Sequence, residues 1–279
     1  MLSGSPSLVR RFEIRKVTEG SSQRVLDQVA VEEPLNISLK YWFKDAQTTT
    51  NLAVTMRTPG DDRELTAGYL LTEGIVQSTE QIIDIRQIGV APSNEVIAEL
   101  AREVDVDTWG LARSNFLSAS CGICGKRSSG VLASRMREPI TSEARVSSSL
   151  IESLPQLLAT CQEGFAQTGG LHAAALIDLR GRVEAAFEDI GRHNALDKLI
   201  GHALLEGINP LSQHIIFLSS RSSFELIQKA GMARVPILAT VGGPSSLAIE
   251  AARECGITLI GFVRESRFNV YSGEWRLES

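Results

Sequence analysis

Two cysteines three residues apart, Cys121 and Cys124, lie in the stretch Ser120-Cys121-Gly122-Ile123-Cys124-Gly125-Lys126-Arg127, beside glycines and just ahead of two cations. Thiolate is the nucleophilic form of cysteine, and neighbouring positive charge lowers the pKa at which it forms. Two thiols at this spacing can exchange with each other, hold half of a soft-metal site, or carry sulfur as a persulfide. Structural zinc takes four ligands, and no second pair stands at zinc-ribbon spacing, Cys161 and Cys255 being isolated. A thioredoxin-like pair opens a helix after an early strand, whereas this one follows a long irregular segment. Sulfur carriage suits such a loop, because the sulfur must visit both a donor and an acceptor.

A second concentration of reactive side chains is Glu188-Asp189-Ile190-Gly191-Arg192-His193-Asn194-Ala195-Leu196-Asp197-Lys198, the densest polar run in the chain. Three more polar segments each follow an apolar strand: Ser219-Ser220-Arg221-Ser222-Ser223, Gly242-Gly243-Pro244-Ser245-Ser246 and Arg264-Glu265-Ser266-Arg267. Open α/β sheets take ligands outside the carboxyl ends of their strands. Helix N-termini offer unpaired amides to anions, and arginine grips phosphate bidentately. Singly, a Ser-Ser at a helix start is an N-cap; together the three segments point to a phosphorylated or nucleotide ligand.

The elements that must position these residues divide the chain. At 279 residues, 43% hydrophobic and 22% charged, it has ample material for a globular core. The net charge of −5 argues against duplex nucleic acid, which needs a basic face. No apolar run reaches the ~20 residues of a membrane span, and Met1 to Pro6 lacks a secretory core, so a cytoplasmic protein with a reduced or cycling CxxC is expected. Residues 10–107 read as a smaller α+β domain, with strands at Phe12–Val17, Arg24–Ala30, Leu35–Leu39, Asn51–Arg57, Ile82–Val90 and Val96–Leu100. A helix runs from Thr58-Pro59-Gly60-Asp61-Asp62 to Glu73-Gly74, its acids in the first turn where the macrodipole favours them.

Periodicity fades over 108–145, and a loop of roughly 30 residues is far longer than usual and more often functional or disordered than structural. Residues 146–279 then read as an α/β domain. A helix starts near Ser153, since Pro155 disfavours an earlier start, and carries Cys161 as core packing. A hairpin at 171–187 leads into alternating helices and apolar strands at His214–Leu218, Ile237–Val241 and Thr258–Phe262, with an edge strand at Phe268–Tyr271. That order predicts a largely parallel sheet covered on both faces. A His on the first strand invites comparison with zinc deaminases, but His172-Ala173-Ala174 has no glutamate to shuttle protons and no Pro-Cys-x-x-Cys follows. A deaminase-like three-layer α/β/α fold without zinc is expected. His202 and His214 read as packing or surface residues.

Pro59-Gly60-Asp61-Asp62-Arg63-Glu64-Leu65-Thr66-Ala67-Gly68-Tyr69-Leu70-Leu71-Thr72-Glu73-Gly74, Cys121-Gly122-Ile123-Cys124-Gly125, Thr168-Gly169-Gly170-Leu171-His172-Ala173-Ala174, the run from Glu188 to Lys198 and Ser219-Ser220-Arg221 stand in an order that resembles the formate dehydrogenase accessory sulfurtransferase family, commonly called FdhD. The resemblance implies a sulfurtransferase-type carrier, charged by a cysteine desulfurase, that sulfurates the molybdenum bis(molybdopterin guanine dinucleotide) cofactor before the formate dehydrogenase catalytic subunit receives it. It implies Cys121 as persulfide carrier, Cys124 as its partner, and a cytidine-deaminase-like second domain. The cofactor segment would be Phe262-Val263-Arg264-Glu265-Ser266-Arg267, where Arg264 and Ser266 replace a Lys and a Gly of the family pattern. On this reading Ser219, Ser220, Arg221, Arg264 and Arg267 take the guanine nucleotide ends, for which GDP or GMP would be mimics. Asp189, His193, Asp197 and Lys198 line the same pocket. A homodimer is expected. A cofactor-binding chaperone without sulfur transfer and a CxxC disulfide oxidoreductase are the alternatives.

Overall fold

The computed structural model describes residues 8–90, 93–106 and 138–278; the expected sulfur-carrying pair, Cys121 and Cys124, lies outside them. Strand β1 (Val9–Thr18) pairs antiparallel with β2 (Ser21–Ala30) through a tight turn at Glu19 and Gly20, both at positive φ, the conformation that two-residue hairpin turns require. The expected strands at Phe12–Val17 and Arg24–Ala30 are therefore real, but they form a separate ribbon.

Strand β3 (Glu33–Phe43) turns at Lys44 and Asp45, again at positive φ, into β4 (Ala46–Arg57), followed by helix α1 (Asp62–Thr72) and strands β5 (Ile82–Gln87) and β6 (Glu95–Leu100). They form a mixed sheet in the order β4-β3-β6-β5, with β3 and β6 parallel. Leu35, Ile37 and Leu39 alternate inward along β3, as the period-2 pleat demands.

Past the undescribed stretch come β7 (Val146–Ser147), α2 (Ser148–Ala159) and α3 (Glu163–Thr168). Helix α2 begins five residues ahead of the expected start. The Ser147 side chain accepts from the amide of Leu150 (3.2 Å), and Ile151, Leu154 and Leu158 bury one face. That cap and that burial outweigh the hydrogen bond lost at Pro155. Cys161 follows the helix and is half-buried rather than core.

The remaining elements are β8 (His172–Asp178), β9 (Val183–Asp189), α4 (Arg192–Leu205), β10 (His214–Leu218), α5 (Phe224–Met232), β11 (Ile237–Thr240), α6 (Ser246–Cys255), β12 (Thr258–Arg264), β13 (Arg267–Ser272) and β14 (Leu277–Glu278). The sheet order is β13-β12-β11-β10-β8-β9, with β10, β11 and β12 parallel and the other pairings antiparallel. The α/β fold is as expected, but the sheet is mixed rather than largely parallel, because β8, β9 and β13 join as hairpin neighbours or antiparallel edges, and the third polar segment is the turn of the β12–β13 hairpin and leads into no helix. Alternate strand residues feed two clusters. Ala175, Ile177, Ile215, Phe217 and Ile260 join Ile151, Leu154 and Leu158 of α2 on one face. Leu176, Ile216, Leu218, Leu238 and Leu259 face α4, α5 and α6 on the other.

The second cluster does not stop at the expected boundary near residue 107. It runs on through Leu65 and Leu70 of α1 to Leu35, Ile37 and Leu39 of β3, and takes in Val106 and Ile140. The two sheets mark two units; the core between them is single. Helices α1 and α4 cross at Gly68 and Gly201, where a β-carbon on either would fall within the backbone of the facing helix, at Asp197 and Glu64 respectively.

Candidate functional site

The carboxyl ends of β10, β11 and β12 open at one edge of the large sheet. The antiparallel strands bring their own ends there: His172 opens β8 directly across from Asp189, which closes β9. Ser219 fixes the register, its amide donating to the Ala173 carbonyl (3.0 Å) and its hydroxyl accepting from the Ala173 amide (2.9 Å). The rim thus runs from His172, above the buried Asp189, through Ser219 and Ser220 to Gly242 and Phe262.

Three helices start at this rim, and only one is capped by a side chain. Ser245 accepts from the Ala248 amide (3.2 Å) at the head of α6. At α4 the cap position is Gly191, which has no side chain, and at α5 Ser223 makes no cap and its buried hydroxyl has no partner. The first-turn amides of α4 and α5 are therefore available to an anion, with the positive ends of two helix dipoles behind them.

Side chains of those same turns add charge. His193 Nε2 stands 2.9 Å from Glu225 Oε2, close enough to pair though off the line of a straight hydrogen bond. This His193 contact holds the Glu225 carboxyl below the usual carboxylate range. His172 is pushed below the ordinary imidazole value, first by burial and then by repulsion from Arg192 and His193, with Asp189 opposing. Neither His172 nor Glu225 belongs to the site expected from sequence. Glu225 sits three residues after Ser222, a spacing that reads as a capping box, but its carboxylate faces His193 instead.

At the far end of the rim Phe262 adopts φ 53° and remains 46% exposed. A left-handed backbone on a bulky aromatic is a genuine outlier, and such residues cluster at functional sites. The register shift between Gly261 and Arg264 creates it, and the Phe262 amide is tied to the Gly242 carbonyl (3.1 Å). The ring lies over Gly243, where an added β-carbon would stand 2.5 Å from Cζ, and Arg221 crosses Gly242 in the same way, its Cγ 2.6 Å from such an atom. Arg264 folds back to donate to the carbonyls of Val241 (2.8 Å) and Val263 (2.7 Å).

The structure therefore brings Ser219, Ser220, Arg221, His193, Phe262 and Arg264 to one edge. Glu265 and Ser266 form the hairpin turn beyond it, and Arg267 pairs across that turn with Arg264. Val263 is buried on the α2 side of the sheet. Asp197 does not line the rim: it is buried between helices, paired with Lys229 (2.7 Å) and accepting from the Thr72 hydroxyl (2.9 Å). Burial pushes its carboxyl upward against the pull of Lys229. Asp189 and Lys198 lie beneath the rim, fully buried and paired with each other at 3.0 Å. Cys255 is buried, and burial raises its thiol to about 11, far from the thiolate a carrier needs. Among the described residues, no group of three or more His, Cys, Asp or Glu is placed to hold a metal, and no helix is long and apolar enough to cross a membrane.

The molecule is an α/β protein that gathers hydroxyls, arginines and helix starts at the carboxyl ends of its parallel strands. The chain belongs to the FdhD/NarQ family, whose model matches residues 30–278. It is 40% identical over 278 residues to a protein of Streptomyces avermitilis, covering 97% of this chain and 96% of the relative. It is 39% identical over 270 residues to one of Sulfolobus acidocaldarius, covering 97% and 99%. Both relatives bear the name sulfur carrier protein FdhD. The crystal structure of a candidate formate dehydrogenase accessory protein from Desulfotalea psychrophila has the same fold, with a TM-score of 0.73 at 23% identity over 98% of this chain and 100% of that one.

Proposed function

We propose that this protein is a sulfur carrier in formate dehydrogenase maturation. The observation that carries the reading is full-length similarity to curated sulfur carriers at about the same 40% identity in bacterial and archaeal relatives. The Cys121 thiolate attacks the outer sulfur of a cysteine desulfurase persulfide; the new S–S bond forms on Cys121 and the desulfurase cysteine leaves as thiolate. Lys126 and Arg127 favour the attacking thiolate, and Cys124 is its neighbouring thiol. The Cys124 thiolate then attacks Cys121 Sγ: the Cys121–Cys124 disulfide forms, the bond to the outer sulfur breaks, and that sulfur leaves at the sulfide level to replace an oxygen ligand on the molybdenum of the bis(molybdopterin guanine dinucleotide) substrate, the oxygen departing as water, before the formate dehydrogenase catalytic subunit accepts it; a dithiol reductant restores the two thiols.

The rim is where that substrate's nucleotide ends bind. Diphosphate oxygens meet the open amides of α4 and α5, with Arg221, Arg264 and Arg267 within the same basic edge. The exposed Phe262 ring offers a stacking face to a guanine base. The deaminase-like layering serves as a ligand scaffold in this reading, and its zinc chemistry has no part in it. Incubation with a bacterial cysteine desulfurase and cysteine should add about 32 Da, one sulfur, to Cys121 in mass spectrometry. Cys121→Ala should abolish both that adduct and formate dehydrogenase activation while GDP still binds. Full activation by the variant would leave a cofactor chaperone; catalytic exchange with small disulfides in place of an adduct would leave an oxidoreductase.

A further inference from the structure

Asp189 and Lys198 stand in the most polar run of the sequence, directly below the rim, yet both are 0% exposed. Their polar atoms are also engaged within the protein. Asp189 Oδ1 accepts from the Gly191 amide (2.8 Å) and Asn194 Nδ2 (3.0 Å), its Oδ2 accepts from the Thr58 amide (3.1 Å), and Lys198 Nζ pairs with Oδ2 at 3.0 Å. Of the roughly four acceptor positions of a carboxylate, three take hydrogen bonds and the remaining side faces the Lys198 ammonium. Lys198 donates to the Thr58 carbonyl (3.1 Å) and the Glu188 carbonyl (3.2 Å) and pairs with the carboxylates of Asp189 (3.0 Å) and, more distantly, Asp61 (3.9 Å). Neither group is presented to a ligand.

We infer that the Asp189–Lys198 pair is a positioning lock that aims the open first turn of α4 at the rim and ties that aim to the Thr58 segment of the N-terminal half. The inference rests on the rim being the nucleotide site. Three observations set the geometry. Asp189 holds the Gly191 amide, so the peptide just ahead of α4 has one orientation. Asn194, in the first turn, is held from three sides: Nδ2 donates to Asp189 and to the Met56 carbonyl (2.7 Å), while Oδ1 accepts from the Thr55 hydroxyl (3.2 Å). The Thr58 hydroxyl accepts from the Ile190 amide (3.1 Å), so residues Thr55 to Thr58 and Asp189 to Asn194 are laced together. Preorganised amides bind an anion without the cost of being ordered on contact. Positioning is thus shared between the two halves, although every expected rim residue lies in the second.

Asp189→Asn tests the lock. The amide keeps the shape but presents a donor where donors already point, and it leaves Lys198 with only the more distant Asp61 carboxylate (3.9 Å) as counter-charge. On protein shown to be folded by circular dichroism, GDP affinity in calorimetry should fall about tenfold, the scale of charge-assisted hydrogen bonds to buried groups. Hydrogen exchange of the Gly191 and Thr58 amides should accelerate. The His172 titration midpoint, followed by NMR, should drop, because Asp189 is the group that opposes its depression; loss of stability alone would not move it. Thr58→Val, which deletes one hydroxyl and keeps the volume, should weaken GDP binding in the same direction and by less, and it carries the test if Asp189→Asn does not fold. Wild-type affinity in the folded variants overturns the lock. If the unsubstituted chain does not bind GDP, the nucleotide reading of the rim fails, and unchanged amide exchange in both variants then overturns the lock on its own.

Discussion

Gly68 of α1 and Gly201 of α4 stand backbone to backbone: a β-carbon on Gly201 would lie 2.5 Å from the Gly68 amide nitrogen. This crossing carries the join between the N-terminal and C-terminal halves, and side chains cannot yield there because the clash is with main chain. Gly68→Ala and Gly201→Ala should each destabilise the fold by ~3 kcal/mol or more, at the upper end of overpacking effects. Urea denaturation followed by far-UV circular dichroism measures it; a loss below ~1 kcal/mol would mean the helices can separate at little cost.

Asp197 and Lys229 form a buried pair at 2.7 Å, away from the rim. Removing one partner of such a pair strands a charge in the interior, at a cost of about 3–5 kcal/mol. Lys229→Met should therefore lower the unfolding midpoint strongly, while the folded protein keeps wild-type GDP affinity. A changed affinity at unchanged stability would return Asp197 to the binding site.

Phe262 separates conformation from recognition. Its left-handed backbone costs an L-residue about 1–2 kcal/mol, which glycine does not incur. Phe262→Gly should accordingly be more stable than Phe262→Ala, and both should lose GDP affinity by about 1–3 kcal/mol if the ring stacks on the base. Paired thermal melts and calorimetry of the two variants decide both points.

Ligand binding should take up protons. His172 lies below its ordinary value in the free protein, so near neutral pH it is mostly neutral, and an arriving diphosphate stabilises its charged form. Calorimetry of GDP in buffers of different ionisation enthalpy should show net proton uptake at pH 7, with affinity rising as the pH falls toward 6. Folding follows a separate group. Glu225 is held below its unfolded value, so its contribution is complete above the unfolded carboxylate range and is lost as pH falls through the folded value. Glu225→Gln should flatten that acid limb of the stability profile.

The alternating strands and helices of the second half were legible because each buries a patterned face: Ile215 and Phe217 point one way, Ile216 and Leu218 the other. Helix α2 starts earlier than its sequence suggests because the cost at Pro155 is local, whereas the buried face that offsets it is set by tertiary packing. Ribbon β1–β2 alternates like any half-buried strand pair, yet it joins neither large sheet, and pairing is a non-local choice that periodicity does not encode. At the site, the hydroxyls and arginines that follow the strands lie at one edge of the large sheet. Composition could not separate side chains that face a ligand from those that hold the frame. Asp189, Asp197, Lys198 and His193 fall within five residues either side of Asn194, but helical rotation and the β9 terminus send them to three different environments. Glu225 enters the site by tertiary contact with His193 alone.

The single core has a further consequence. Val106 and Ile140 are buried in the same cluster as Leu65, Leu199 and Leu238, so the halves on either side of residues 107–137 are held by packing as well as by the peptide chain. A protease cut within 107–137 should leave two fragments that co-elute as one particle and part only in denaturant. Expressed as separate polypeptides, they should reconstitute GDP binding when mixed, whereas each alone exposes the apolar faces of α1 or α4 and precipitates.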